Sequence, residues 1–400
     1  MKYSAAVVLG IIAFACTEKK TAPDHKIAIG VMDSLHSTIL NENRKIWVYQ
    51  PADLKPDEKC PVVYLLDGDW HFHSVSGMID QLVGNSLMPR TILIAIPNTD
   101  RSRDLTPTNS LELPDGSKPD FLKSTGGGEN FTKFIETELM PWVESKYHTA
   151  PYKILVGHSF GGLFAINTLV HHPKLFNAYV SIDPSMWWDD RKLLGQTDSA
   201  LQAGDFSGRT LYMSMANTMI KGMDTVRVAA DTASTHNHIR SIIALGKLIS
   251  RKTKNGLNAQ WKYYDKDDHG SVPFISEYDA FRFIFDYYKL PGDFNDATPE
   301  TYTEHFKMIS SRLGYEVLPP QSDIGDICYY YIREKKLDKA QAFLDLNAKN
   351  YPGSPGVLRY QGDIFVSKGD TAKAIDFYNQ SLAKRDDPEV KGKIEALKKK

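Results

Sequence analysis

One serine in this sequence lies in a setting that suits a nucleophile. The pentapeptide Gly157-His158-Ser159-Phe160-Gly161 follows the apolar run 154–156 and precedes the apolar segment 163–166. This order predicts a strand, a sharp turn and a helix, with Ser159 at the apex of the turn. Glycine suits both flanking positions because a side chain there would collide with the neighbouring strand or helix. The turn also places backbone N–H groups at a helix N-terminus, where negative charge is stabilised.

A serine hydroxyl needs a base to accept its proton before it can attack a carbonyl group. His269 fits this role, because it lies far downstream of Ser159 in a loop directly after the last predicted strand. Among the other histidines, His236 and His238 are expected at a helix start that could reach the rim of a pocket. No histidine pair has a convincing metal-ligand context, so the sequence predicts no metal.

Two backbone N–H groups are expected to bind the oxyanion that forms when a serine attacks a carbonyl group. One donor is Phe160, the residue after the nucleophile. The other should come from the loop after the third predicted strand, at residues 67–70. We assign this second donor to Asp69, with Gly68 as the alternative because glycine lets the backbone approach a substrate closely.

The elements that must position these residues are short β-rich runs that alternate with helical stretches. The expected strands cover residues 27–35, 44–49, 62–66, 92–96, 154–156, 179–182, 210–214 and 260–264. This alternation predicts an α/β domain at residues 27–290 with a doubly wound, mostly parallel sheet. The first two runs have no helix between them and are expected to form an antiparallel hairpin at the sheet edge. Helices are expected at 131–147 and 238–253.

Beyond residue 290 the pattern becomes helical and repeats at a spacing of 34 residues. Lys339-Ala340 corresponds to Lys373-Ala374, and Phe343 corresponds to Phe377. This period resembles the tetratricopeptide repeat, a helix pair that buries its apolar face by stacking on a neighbour. We therefore predict a small all-α domain at 291–400. It could bind a protein partner, cap the catalytic domain or tether the chain to a neighbour.

The N-terminus has the pattern of a targeting segment. Lys2 precedes the apolar run 5–15, and Cys16 follows Ala15 directly, before a polar stretch. This predicts a lipoprotein-type signal peptide at 1–16, lipidation of Cys16 and a linker at 17–26. Ala13 and Phe14 depart from the usual pattern, so an ordinary secretory signal cut nearby is the alternative. In either case we expect export, to the periplasm or to the outer membrane as a lipoprotein anchored by its lipid.

Charge and cysteine content exclude several classes of protein. The chain has 48 Lys and Arg residues against 49 Asp and Glu residues, for a formal net charge of −1. We therefore expect no nucleic-acid partner, since such proteins carry a basic excess. The three cysteines are Cys16, Cys60 and Cys328, and this number argues against a disulfide framework.

Further motifs accompany the serine pentapeptide in a fixed order. They occupy residues 64–69, 96–107, 126–129, 138–141, 183–188 and 268–273. Together they resemble the esterase family of α/β-hydrolases that includes enterochelin esterase-like and esterase D-like proteins. The resemblance covers about residues 27–290. It implies an α/β-hydrolase fold and hydrolysis of carboxylic esters through an acyl-enzyme, with no cofactor.

The chain departs from this family at the acid that orients the histidine. In such proteins the acid usually follows the seventh strand, but the stretch 212–219 carries no carboxylate. Asp224 is the nearest candidate, and we predict it as the acid. Alternatively, the enzyme works as a serine–histidine dyad in which Asn217 or a backbone carbonyl orients His269.

The expected substrate pocket is lined by Trp70, His158, Trp187, Trp188 and Arg103. The two tryptophans could be core residues or a wall for an aromatic or sugar ring. The arginine could form a salt bridge within its loop or recognise an acidic or hydroxyl-rich substrate.

The sequence therefore predicts an exported serine esterase. Its substrate could be a siderophore ester, an acylated glycan or a small acyl ester. Two alternatives stay open. One is an acyltransferase that uses the same site, and the other is a non-catalytic surface lipoprotein that binds a partner through its helical repeats.

Overall fold

The computed structural model describes residues 27–399 except 53, 55–56, 252–254 and 293–296. The predicted signal peptide, linker and lipidation site at Cys16 lie outside the described residues. Within them, no helix combines the length and the apolar character that crossing a membrane requires.

In the described part of the chain, eight strands form one sheet, as the sequence predicts. The strands are β1 (Val31–Ser37), β2 (Glu42–Tyr49), β3 (Cys60–Leu66), β4 (Ile92–Ile96), β5 (Thr149–His158), β6 (Ala178–Ile182), β7 (Thr210–Ala216) and β8 (Asn258–Tyr264). Their order is β1-β2-β4-β3-β5-β6-β7-β8. The pairs β1–β2 and β2–β4 are antiparallel and the others are parallel. The predicted edge hairpin and the mostly parallel sheet are both confirmed.

The helices that follow these strands cover the two faces of the sheet. They are α1 (Gly68–Gly84), α2 (Arg101–Leu105), α3 (Gly128–Phe134), α4 (Met140–Lys146), α5 (Phe160–His171), α6 (Trp188–Ala203), α7 (Thr225–Ala230), α8 (Asn237–Ser250) and α9 (Val272–Ile284). The helix expected at 131–147 is the run from α3 to α4, joined by the π-helical turn Ile135–Leu139. Every residue of β3, β4 and β6 is buried, as expected for strands covered by helices on both faces.

The parallel strands end at one edge of the sheet, and the strand order reverses beside β3 and β5. In doubly wound sheets the crevice outside the carboxyl ends of the strands at such a point binds ligands. Asp67 follows β3, Ser159 follows β5 and Asp183 follows β6. The topology therefore brings these three side chains to the same crevice.

The chain ends in the helices α10 (Pro299–Leu313), α11 (Gln321–Arg333), α12 (Leu337–Asn350), α13 (Pro355–Ser367), α14 (Thr371–Lys384) and α15 (Pro388–Lys398). Helices α13 and α14 begin and end 34 residues after α11 and α12, respectively, which is the predicted spacing. The predicted helix pairs are thus present, while their assignment as tetratricopeptide repeats stays a prediction.

The first helices of this region share a core with the sheet. One cluster of buried side chains contains Val63 of β3 and Ile154 of β5 together with Phe306, Ile327 and Phe343 from α10, α11 and α12. The last helices, by contrast, bury a smaller cluster of their own, with Ala374, Tyr378, Val390 and Ile394. The helical region is therefore joined to the sheet by packing as well as by the chain.

A buried ion pair fixes the segment that follows β4. Arg44 of β2 donates from Nη1 to Asp104 Oδ2 at 2.6 Å, and both side chains are 1% exposed. Arg44 also donates to the Pro97 carbonyl oxygen at 3.3 Å, and its guanidinium lies 5.2 Å from the centre of the Phe131 ring. These contacts hold α2 against β2 and α3.

We expect Asp104→Asn to lower the free energy of unfolding by about 3 kcal/mol, because it removes the more deeply buried of the two carboxylates, Asp104 and Glu42, that pair with the Arg44 guanidinium. Urea denaturation monitored by circular dichroism measures the change. Asp120→Asn is the matched control, since its ion pair with Lys123 is exposed to solvent and its loss should have no measurable effect. Equal stability of the two variants would contradict the structural role of Arg44–Asp104.

Candidate active site

Ser159 occupies a strained turn between β5 and α5. Its φ is 59° and its ψ is −111°, in a region that L-residues rarely adopt. A Cβ on Gly157 would lie 2.3 Å from the Gly161 carbonyl oxygen, which explains the glycine at that position. The Ser159 N–H donates to the Ile182 carbonyl oxygen at 2.9 Å, and its own carbonyl oxygen accepts from the Ser185 N–H at 3.0 Å. The strained turn is thus tied to the end of β6.

Asp183 is the carboxylate that contacts the proposed base. His269 Nδ1 donates to Asp183 Oδ2 at 2.6 Å. The carboxylate is completely buried, and its Oδ1 accepts from the Ala216 N–H at 2.8 Å. His238 Nε2 lies 2.9 Å from the same Oδ2 atom that His269 contacts.

This environment keeps Asp183 charged. Burial raises the pKa of the Asp183 carboxyl, but the hydrogen bonds from His238, His269 and the Ala216 amide outweigh burial and hold the pKa well below its usual range. With Nδ1 of His269 donating to this carboxylate, the Nε2 atom carries the lone pair that can accept a proton. The arrangement has the chemistry of the acid–base pair that activates a serine.

The structure corrects the assignment of Asp224 as the acid. Asp224 caps the N-terminus of α7, where its Oδ1 accepts from the N–H groups of Val226 and Arg227 at 3.0 and 2.8 Å. Its side chain is 55% exposed. The alternative through Asn217 is also excluded in this structure, because its side-chain amide donates to the Asp265 carbonyl oxygen.

The Ser159 hydroxyl has a polar neighbour that the sequence did not single out. Its Oγ lies 3.2 Å from Ser185 Oγ, and Ser185 is almost fully buried. The His269 ring packs against His158, with ring centres 4.4 Å apart. The histidine is therefore held by its acid on one side and by a neighbouring ring on another.

The expected oxyanion donors lie at two helix N-termini. Phe160 is the first residue of α5, and Gly68 and Asp69 open α1. The first N–H groups of a helix have no acceptor within the helix. A Cβ on Gly161 would lie 3.3 Å from Asp67 Oδ2, so the two N-termini are close neighbours. Both are placed to stabilise negative charge.

Arg101 joins these two helix starts. It donates from Nε to Asp67 Oδ1 at 2.6 Å and from Nη2 to Asp67 Oδ2 at 3.0 Å. Nη2 also donates to the His158 carbonyl oxygen at 3.2 Å. The guanidinium lies 5.4 Å from the Phe160 ring centre and 5.7 Å from that of Trp70. A fixed cation therefore lies beside the expected oxyanion donors.

The predicted pocket residues divide into several groups. Trp70 is 67% exposed and Trp187 is half-buried, so both can contact a ligand. Trp188 is a core residue instead, because it is 2% exposed and donates from Nε1 to the Thr108 carbonyl oxygen. His158 is also buried, and burial, together with the neighbouring His269 and His71, lowers its pKa to about 3. It contacts His269 and does not face the solvent.

Arg103 was expected either to recognise substrate or to form a salt bridge, and the structure shows the salt bridge. Its guanidinium donates to both carboxylate oxygens of Glu42, at 3.1 and 2.7 Å, and to Asp104 Oδ1 at 2.8 Å. The hydrogen bonds raise its pKa above the usual range. Arg103 therefore extends the buried Arg44–Asp104 ion pair.

Sequence reasoning did not assign Asp183 to this site, and it did not place Arg101 among the expected pocket residues. Both lie within motifs that carry the family resemblance, at 183–188 and 96–107, and each follows closely after a buried strand. A carboxylate directly after a central strand was the signal that could have identified Asp183.

Comparison with known proteins identifies the family. The sequence model of the family described as "Putative esterase" matches residues 37–270, more than half of the chain. The chain belongs to this esterase family. The resemblance that the motifs indicated is thereby confirmed.

Curated relatives match over part of their length. The chain is 32% identical over 173 residues to the ferri-bacillibactin esterase BesA of Bacillus subtilis. This match covers 40% of this chain and 60% of that protein. It is also 36% identical over 169 residues to a siderophore enterobactin esterase of Emericella nidulans. This match covers 38% of this chain and 53% of that protein. The matched segments therefore span less than two thirds of either relative.

Solved structures are similar over more of the chain. An IroE-like serine hydrolase from Shewanella oneidensis superimposes with a TM-score of 0.69 at 31% identity, covering 80% of this chain and 99% of that one. A protein of unknown character from Capnocytophaga ochracea covers 93% of this chain with a TM-score of 0.60 at 17% identity, which shows a shared fold only.

We expect Asp183→Asn to slow the modification of Ser159 by a fluorophosphonate by roughly 10³–10⁴-fold, because the amide no longer holds His269 in the tautomer that accepts a proton. Timed labelling followed by mass spectrometry measures the rate. Asp224→Asn, which keeps the helix cap, is the control and should label at the unaltered rate. Slow labelling of Asp224→Asn with normal labelling of Asp183→Asn would reverse the assignment.

Proposed function

We propose that this protein is a serine esterase in which Ser159, His269 and Asp183 form the catalytic triad. The observation that carries the proposal is the hydrogen bond from His269 Nδ1 to the buried Asp183 carboxylate, beside a serine held in a strained turn. Strain of this kind at a nucleophile is retained because the turn presents the hydroxyl to the crevice.

In the proposed reaction, the Ser159 Oγ attacks the ester carbonyl carbon while His269 Nε2 accepts the hydroxyl proton. The oxyanion is stabilised by the N–H groups of Phe160 and Asp69, with Gly68 as the alternative donor, and by the Arg101 guanidinium beside them. His269 then gives its proton to the leaving alcohol as the carbon–oxygen bond breaks, which leaves an acyl-enzyme. Water loses a proton to His269, attacks the acyl carbon and releases the acid with Ser159 restored.

The substrate that we propose is an ester within a small iron-chelating molecule. Relatives named for ferri-bacillibactin and siderophore enterobactin hydrolysis support this class. The exposed indole of Trp70, next to the Arg101 cation, offers a flat apolar surface to an aromatic group of such a ligand. Glycan and small acyl esters are the comparison substrates in the test.

We expect the purified protein to hydrolyse an aryl butyrate and enterobactin, and Ser159→Ala to reduce kcat on both by roughly 10⁵-fold or more. Chromatography of the released acid measures the reaction. Ser145→Ala, an exposed serine on α4, is the matched control and should retain full activity. Activity on the aryl ester with none on enterobactin would reject the substrate class, and activity that survives in Ser159→Ala would reject the mechanism.

Export with a lipid on Cys16 is also part of the proposal, and it is supported by the N-terminal sequence pattern. In a bacterial host we expect the mature protein to begin at Cys16 and to carry acyl chains, as mass spectrometry of the intact protein would show. Cys16→Ser should yield protein without a lipid. An unlipidated wild-type protein that begins at another residue would support ordinary secretion.

A further inference from the structure

Three side chains at the crevice bring metal-ligating atoms together. Asp183 Oδ2 lies 2.9 Å from His238 Nε2 and 2.6 Å from His269 Nδ1. All three atoms lie within 4.8 Å of one another. The residues come from separate segments, which follow β6, open α8 and follow β8. Two imidazole nitrogens and one carboxylate oxygen form a ligand set that binds Zn²⁺ in proteins.

We propose that Asp183, His238 and His269 form a binding site for a transition metal ion of the Zn²⁺ type, and that the bound ion inhibits the esterase. Binding of the ion depends only on the three side chains. The inhibition rests on the proposed function, because it acts through the base His269.

The burial and charge of the three groups suit such an ion. Asp183 is completely buried and charged, and the Ala216 amide fixes its Oδ1 so that Oδ2 points to the histidines. The histidine side chains are 20% and 41% exposed, so an ion can reach them from solvent. With zinc bonds of about 2.0–2.2 Å the ligand atoms of a tetrahedral site lie roughly 3.4 Å apart, so Asp183 Oδ2 must separate by about 0.5 Å from His238 Nε2 and by about 0.8 Å from His269 Nδ1. The exposed loop that carries His269 can accommodate this change.

His238 is the residue that distinguishes this cluster from an ordinary triad. An acid and a base alone offer two ligands, whereas the imidazole of His238 supplies a third on the same carboxylate oxygen. The proton transfers of a serine–histidine–aspartate triad use one histidine, so the second imidazole on this acid is a ligand beyond the catalytic pair. The donor set favours Zn²⁺, Cu²⁺ and Ni²⁺ over Mg²⁺, which prefers oxygen ligands.

Inhibition follows from the tautomer that the metal requires. To bind the ion, His269 Nδ1 must offer a lone pair, so its proton is displaced and the neutral ring carries a proton on Nε2 instead. The Nε2 atom then has no lone pair to accept the Ser159 proton. His238 changes in the same way, from a proton on Nε2 to one on Nδ1. No net proton is lost, and removal of the ion restores the active tautomer.

The test measures aryl ester hydrolysis by untagged protein as ZnCl₂ is added, and separately measures Zn²⁺ binding to Ser159→Ala by calorimetry. We expect micromolar Zn²⁺ to inhibit the wild type, EDTA to reverse the inhibition, and MgCl₂ at the same concentrations to have no effect. His238→Ala should raise the half-inhibiting Zn²⁺ concentration by about tenfold or more, relative to its own zinc-free rate. His172→Ala, which removes a partly exposed histidine paired with Glu129, is the matched control and should leave this concentration unchanged.

Several results would overturn the proposal. One is a wild type that Zn²⁺ does not inhibit, and another is a half-inhibiting concentration that is the same in His238→Ala. His238→Gln provides a second variant if the alanine variant does not fold, because the amide can still donate to Asp183 without supplying an imidazole. If the wild type shows no esterase activity, the proposed function fails, and calorimetry alone then tests whether the metal site exists. One-site binding to Ser159→Ala that is lost in Ser159→Ala/His238→Ala supports the site, and its absence overturns it.

Discussion

A charged carboxylate in a dry interior is the constraint on which the rest of the crevice depends. Asp183 has no exposed surface, and an isolated charge in that position would be strongly unfavourable. It is tolerated because donors from three other segments converge on it, namely the Ala216 amide, His238 and His269. The ends of β6 and β7, the start of α8 and the loop after β8 must therefore keep their relative positions. The same contacts that satisfy the charge also orient the base.

A second buried carboxylate, that of Asp67, is likewise satisfied by donors from other segments. Asp67 at the start of α1 is held by Arg101 and Asn98, and Arg101 also reaches the carbonyl oxygen of His158. Buried polar contacts of this kind hold side chains in one geometry. A fixed geometry matters more to an active site than the stability that the same contacts contribute. The crevice that holds Ser159, the proposed nucleophile, thus contains two buried carboxylates. Asp183 contacts the proposed base, and Asp67 lies at the start of α1, beside the proposed oxyanion donors.

Most of the fold could be predicted from the sequence, because strand and helix patterns are local. The continuous apolar runs located the central strands, and the glycines around Ser159 located the turn. The acid could not be ranked in the same way, since an aspartate after a strand is ordinary until its surroundings are known. Its partners His238 and His269 are 55 and 86 residues away in the chain, and burial of the charge depends on both. Asp224 was predicted as the acid because it is the carboxylate nearest in sequence to the end of the seventh strand. In the structure it caps a helix N-terminus, a role that local contacts alone can fill.

Trp187 and Trp188 likewise show that the sequence does not determine which of two neighbouring side chains is buried. The two side chains are identical and adjacent, yet one reaches the core and the other stays half-buried. Only the path of the backbone into α6 decides which indole turns inward, and three successive residues with positive φ follow directly at 189–191. The sequence left open whether the two tryptophans belong to the core or form a wall for a ligand, and in the structure Trp188 belongs to the core while Trp187 stays partly exposed.

The shared core of α10–α12 and the sheet has a consequence for how the chain is built up during folding. Because Phe306, Ile327 and Phe343 pack in one cluster with side chains of β3 and β5, these helices complete an apolar layer to which α1 and α9 also contribute. During synthesis Ser159, Asp183 and His269 all leave the ribosome before these helices, so the layer is completed only after all three residues have been made. We therefore expect the sheet and α10–α12 to unfold together as one cooperative unit.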